Sequence, residues 1–134
     1  MVTTAASGSA ENFEKPNPLT AMNQNEKRFR KITIQNLRSL KDAGVPLAVG
    51  SDTIPGAEVL AEIQFLKETD LFSNLELLIM RSETAPKMIF PQRKIGALKE
   101  GYEANFLVLE GNPIQDFIRV RGIKMRVKQG DPLK

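Results

Sequence analysis

The chain has 134 residues and contains neither cysteine nor histidine. Without cysteine there is no disulfide, no thiolate metal site and no thiol nucleophile. Without histidine the chain cannot build a Ser-His-Asp triad, an HExxH zinc helix or an imidazole general base from its own residues. Tryptophan is also absent and there is one tyrosine, so the aromatic platforms on which nucleic-acid bases stack are missing. No apolar run approaches the ~20 residues that a membrane-spanning helix needs, and no membrane partner is expected. The opening stretch, MVTTAASGSAENFEKPNP, has neither the basic start nor the apolar centre of a signal peptide, which makes a cytoplasmic location the expectation.

Basic residues exceed acidic ones by 19 to 16, a net charge of +3, which is too mild to dictate a polyanionic partner. They cluster at Lys27 to Lys31 and at Arg119, Arg121, Lys124, Arg126, Lys128 and Lys134. Both clusters are interleaved with apolar residues, the pattern of a solvated helix or strand face, so no nucleic-acid partner is expected. Hydrophobic residues make up 41% of the chain, enough for a packed core.

Residues 1–22 carry no periodicity and read as a flexible arm. From Asn25 the pattern becomes helical, with Phe29, Ile32, Leu37 and Leu40 as the apolar side and Gly44 as the left-handed residue that closes the helix. Val45 to Val49 reads as a short buried strand, and Pro46 is tolerable near its start. A second helix follows through Val59, Leu60, Ile63 and Leu66. Ser73 and Glu76 have capping-box spacing, so a third helix should start there and bury Leu75, Leu78 and Ile79. Thr84 and Pro86 suit the first turn of a further short helix ending near Phe90. After Pro91 the pattern turns to β: ANFLVLEGNP is a strand closed by a turn, and GIKMRVKQGD alternates Ile123, Met125 and Val127 against Lys124, Arg126 and Lys128.

The stretch VPLAVGSDT at residues 45–53 switches abruptly from apolar residues to a small polar tip. Its carboxylate, Asp52, has two readings. It can be a reactive group at the C-terminal end of a strand, where α/β barrels place their active sites. It can equally be the N-cap of the helix that follows. Ser51 has no evident base beside it and reads as a tight-turn residue. Glu58 and Glu62 read as solvated helix-face residues, Met80 and Met88 as core or near-core filler, and Gly96 and Gly101 as turn residues.

NLRSLKDAGVPLAVGSDT, FSNLELLIMRSETAPKMI and KIGALKEGYEANFLVLEGNPIQD together resemble the C-terminal part of the amidohydrolase superfamily, in its imidazolonepropionase-like and Xaa-Pro dipeptidase-like branch. The three stand in the family's order and cover roughly residues 30–130. The resemblance implies an α/β fold: the C-terminal part of a (β/α)8 barrel followed by strands of a small composite β domain. It divides the chain into the arm (1–22), the last helix-strand-helix unit of the barrel (23–91) and the β strands (92–134). It implies a metal-dependent hydrolase of C–N bonds acting on a small amide, dipeptide or cyclic amide, with a divalent metal, zinc above others, as cofactor. In that scheme Asp52 is both catalytic residue and metal ligand, taking a proton from the attacking water.

Ser82, Pro86 and Asn105 depart from the family's usual Thr, Ala and Asp, and all three departures look structural. The segments that carry the family's metal-binding histidines have no counterpart here. A full barrel takes ~250 residues, so the resemblance is to a fragment, expected to be inactive alone. Apolar strand residues such as Val45, Leu47 and Val49 would then lack barrel partners, and self-association is expected. The rival reading is a non-catalytic α/β interaction or structural module.

Overall fold

The computed structural model describes residues 2–3, 23–50 and 58–133. The chain divides into two compact units, Met1–Leu71 and Phe72–Lys134.

In the first unit, helix α1 (Gln24–Asp42) starts at Asn23, whose side chain accepts the Glu26 N–H at 2.9 Å while the Glu26 carboxylate accepts the Asn23 N–H at 2.8 Å. This reciprocal cap satisfies two orphan donors of the first turn, and it sets the start slightly earlier than the periodicity suggests. The helix ends in a Schellman motif: Val45 N–H donates to Leu40 O, Gly44 N–H donates to Lys41 O, and Gly44 adopts φ +67°. Gly44 therefore plays the expected part. The expected apolar side of α1 is only half right. Leu37 is buried, but Phe29 is 65% exposed and Ile32 is exposed as well.

The chain turns directly from α1 into strand β2 (Ala48–Val49), which pairs in parallel with β1 (Val2–Thr3), Val2 opposite Ala48 and Thr3 opposite Val49. β1 falls in the stretch where no element is expected from periodicity; the remainder of the proposed arm lies outside the described residues. Leu47, Ala48 and Val49 are all buried. The expectation that Leu47 and Val49 would lack partners is thus corrected: this unit covers its own strand.

Helix α2 (Glu58–Glu68) packs against β2 and buries Ile63 and Leu66 completely. Arg30 of α1 bridges to Glu68 at 3.1 Å and lies over the Phe65 ring, 5.0 Å from its centroid, while Gln64 donates to the same carboxylate at 3.2 Å. Lys41 Nζ donates to Leu71 O, so α1 also holds the chain leaving α2.

The second unit opens with helix α3 (Asn74–Ile79), capped as expected by Ser73 and Glu76: the Ser73 N–H donates to the Glu76 carboxylate at 2.7 Å and Ser73 Oγ accepts the Glu76 N–H at 3.2 Å. The buried face differs from the expected one. Leu77 and Met80 are buried, whereas Leu75 is 48% exposed and Ile79 is exposed. An apolar run of this density fits more than one face, and periodicity alone does not choose between them.

A π-helical turn (Met80–Thr84) runs straight into α4 (Ala85–Ile89). Thr84 is helical (φ −68°, ψ −47°) and makes no side-chain cap bond, so no new helix starts there. The widening has a local cause. Pro86 has no N–H to donate to Ser82 O, and the chain instead closes a five-residue bond from Ala85 N–H to Met80 O. Met80 is core as expected, but Met88 is exposed.

The β part is a three-stranded antiparallel sheet in the order β3 (Phe106–Leu109), β4 (Ile123–Lys128), β5 (Asp131–Leu133). Phe106 faces Val127 and Val108 faces Met125, with the register shifting between Val108 and Leu109. The alternation in β4 has the expected phase, yet full burial is confined to Val127, and Met125 is exposed. Gln129 and Gly130, at φ +54° and +92°, form the two-residue turn into β5. A 3-10 turn (Phe117–Arg121) buries Phe117 and Val120, and Asp116 caps it by accepting the Ile118 N–H at 3.3 Å. Among the described residues no helix is long and apolar enough to cross a membrane.

Candidate functional site

The site proposed from the sequence stands at the C-terminal end of β2. What the structure describes is the approach to it. The Schellman turn at Gly44 reverses the chain, Leu47 to Val49 are packed between α2 and the parallel partner β1, and Gly50 leaves the strand half-buried. Asp52 and Ser51 follow Gly50 in the chain and lie outside the described residues, as do the residues up to Ala57. The described structure thus supplies a parallel strand pair running toward the carboxylate, and the helix that follows it.

Glu62 is a departure from expectation. It is 2% exposed, not solvated. The reason is its position: it lies one turn before Leu66 and next to Ile63, so the buried stripe of α2 includes it. Sequence reasoning assigned it to the wet face because a charged residue in an amphipathic helix is usually there.

The polar cluster of the second unit escaped the sequence reading. Arg93 grips Glu103 through two bonds, Nε to Oε1 at 2.9 Å and Nη2 to Oε2 at 2.6 Å, and lies over the Phe90 ring at 5.3 Å. Asn105 Nδ2 donates to the same carboxylate at 3.1 Å, and Asn105 Oδ1 accepts the Gln129 N–H at 2.8 Å. The hydrogen bond from Arg93 holds the Glu103 carboxyl below its ordinary range, and the same pairing raises Arg93. This cluster ties the turn before β3 to the β4–β5 hairpin. Asn105 therefore departs from the usual Asp in a structural setting: its amide serves one neighbour as donor and another as acceptor. Burial lowers the pKa of Arg81, which sits in the π turn between buried Met80 and Ala85.

Gly96 packs against the π turn. It has φ +81°, and a Cβ there would stand 2.5 Å from Ser82 O. Both its left-handed backbone and its contact exclude a side chain, and Gly101, at φ +77°, is likewise a turn residue.

Among the described residues there is no group of three or more His, Cys, Asp or Glu side chains that could hold a metal ion. Most of the described carboxylates have structural work instead: Glu26 and Glu76 cap helices, Glu68 pairs with Arg30, Glu83 with Lys87, and Glu103 with Arg93.

The Amidohydrolase family model matches residues 6–132. Ochratoxinase of Aspergillus niger is 41% identical over 75 residues, which cover 55% of this chain and 16% of that protein. The crystal structure of the A. niger ochratoxinase superposes with a TM-score of 0.73 at 30% identity, covering 86% of this chain and 29% of the other. A prolidase complexed with N-methylphosphonate-L-proline superposes with a TM-score of 0.68 at 23% identity, covering 99% of this chain and 34% of the other. The chain thus spans about a third or less of the length of these relatives.

Proposed function

This chain belongs to the amidohydrolase family, and on that footing we propose that it forms the C-terminal portion of a barrel hydrolase that cleaves a C–N bond in a small amide, dipeptide or cyclic amide. The observation that carries the reading is the family match over residues 6–132 together with the parallel pairing of β1 and β2 ahead of Gly50, Ser51 and Asp52. Adjacent parallel strands are how a barrel wall is built, and residues just past their C-terminal ends reach its active face. In this reading, residues 23–91 are the last barrel unit and residues 92–134 the strands of the small β domain.

Asp52 is the catalytic residue of this portion. A carboxylate within hydrogen-bond reach of the attacking water accepts its proton as the tetrahedral intermediate forms, and returns it to the leaving nitrogen as the C–N bond breaks. The divalent metal that the family implies does not fit the donors of this chain. There is no histidine or cysteine, no described cluster of acidic residues is suited to a metal, and one carboxylate falls short of the roughly three protein ligands a catalytic zinc requires. The chain alone is therefore inactive.

The rival, a non-catalytic α/β module, draws on that same missing donor set. A chimera separates the two. The segment of A. niger ochratoxinase that superposes on this chain is replaced by residues 1–134, and hydrolysis of the host enzyme's substrate is measured. The proposal expects turnover in the chimera. A chimera that folds as the host does, yet is inactive, favours the module.

A further inference from the structure

We infer that these 134 residues can complete a catalytic divalent metal site but cannot nucleate one. The imidazole ligands must come from polypeptide outside the chain, and no association of the chain with its own copies supplies them. The inference rests on the reading of Asp52 given above, but it concerns a different property: metal uptake in place of turnover.

The argument is one of donor chemistry. Zinc in hydrolytic sites is held by nitrogen, sulfur and carboxylate ligands, with imidazole contributing most of the affinity and neutral imidazole preferred over water. This chain offers only oxygen, from 16 Asp and Glu residues. Self-association multiplies the same donors, because each added copy brings further carboxylates and no imidazole. The described carboxylates are also largely committed. Glu26 and Glu76 each accept an N–H at a helix start, at 2.8 and 2.7 Å. Glu68, Glu83 and Glu103 are paired with Arg30, Lys87 and Arg93 at 3.1, 3.4 and 2.6 Å. Recruiting any of them to a cation would cost a helix cap or an ion pair. An all-oxygen site made between copies would in any case suit calcium or magnesium better than zinc. The partner is thus specified by chemistry: polypeptide that brings two or more histidines to the C-terminal end of β2.

Two proteins test this, both free of any histidine tag, since a tag would introduce the missing ligand. The first is the chain itself, titrated with Zn2+ by calorimetry and with Co2+ by visible absorption, at concentrations below and above those at which it self-associates. No stoichiometric uptake and no intense cobalt band are expected at any concentration, and Asp52→Asn should change nothing. The second is the ochratoxinase chimera, whose remaining portion supplies histidines in the family pattern. It should retain metal through gel filtration, and Asp52→Asn should weaken that retention at least tenfold. Stoichiometric zinc on the chain alone, or on its oligomer, overturns the inference and leaves the hydrolase reading standing. A folded chimera that takes up no metal, or one indifferent to Asp52→Asn, overturns it as well. A chimera that binds metal through Asp52 but turns nothing over sinks the hydrolase reading and leaves this inference intact.

Discussion

Replacing Gly96 by alanine probes the contact that joins the helical run to the turn before β3. At φ +81° an L-residue occupies the left-handed region, which costs about 1–2 kcal/mol. The new Cβ would also stand 2.5 Å from Ser82 O and 3.2 Å from Glu83 Cα, both backbone atoms that cannot swing aside. Forcing a methyl group into packed surroundings adds about 1–3 kcal/mol. Gly101 provides an internal control. Its φ of +77° carries the same conformational cost, but the nearest atom to its Cβ is Lys94 Nζ, the end of a flexible side chain, at 3.9 Å. Gly96→Ala should therefore destabilise by about 2–5 kcal/mol and Gly101→Ala by about 1–2 kcal/mol. Urea unfolding followed by far-UV circular dichroism measures both, with unchanged slopes confirming that stability alone has moved. Equal losses in the two variants would refute the close approach of Gly96 to the π turn.

The buried face of α3 predicts a second contrast: Leu77→Ala, at a fully buried position, should cost about 2–5 kcal/mol in the same assay, and Leu75→Ala far less; the reverse order would return the helix to the face expected from the sequence. Glu103, lowered by its bond from Arg93, favours the folded state at pH above the unfolded carboxyl pKa of ~4.3, and this contribution is lost as pH falls through the lower folded value. In Glu103→Gln that part of the acid dependence should vanish from pH-dependent unfolding curves, and an NMR titration of Glu103 with a midpoint at or above the ordinary value would contradict the pairing. Exposed Phe29 and Ile32 on α1 should drive self-association of the isolated chain, so sedimentation should show oligomers that Phe29→Ser weakens; a sharply melting monomer would count against it.

What could be read in advance divides along physical lines. Signals that depend on a few neighbouring residues were legible: the Ser73–Glu76 box, the left-handed Gly44 and the turn glycines each follow from local backbone chemistry. Faces were less so. Leu75, Leu77, Leu78 and Ile79 crowd six positions, and only the packing of the second unit selects Leu77 and Met80 as the buried pair. Glu62 could not be placed from its own type, because its burial follows from the stripe it shares with Ile63 and Leu66. The two-residue strand β1 is shorter than any period, and β5, spelled Asp-Pro-Leu, exists because the Gln129–Gly130 turn folds it onto β4. The Arg93–Glu103 clamp joins residues ten apart across an irregular loop, and no spacing rule marks such a pair. At the candidate site the strand and its direction were legible from VPLAVGSDT, while the missing donors were plain from the composition.

The central claim is that Asp52 is the chain's catalytic carboxylate and not only a helix cap. The most direct measurement is the paired melting temperature and turnover of the ochratoxinase chimera carrying Asp52, Asp52→Asn or Asp52→Ser. Asparagine and serine cap helices about as well as aspartate, but neither can accept a proton from water at neutral pH. The account predicts unchanged melting and abolished turnover in both variants. Full turnover in Asp52→Asn would contradict it and leave Asp52 as a cap.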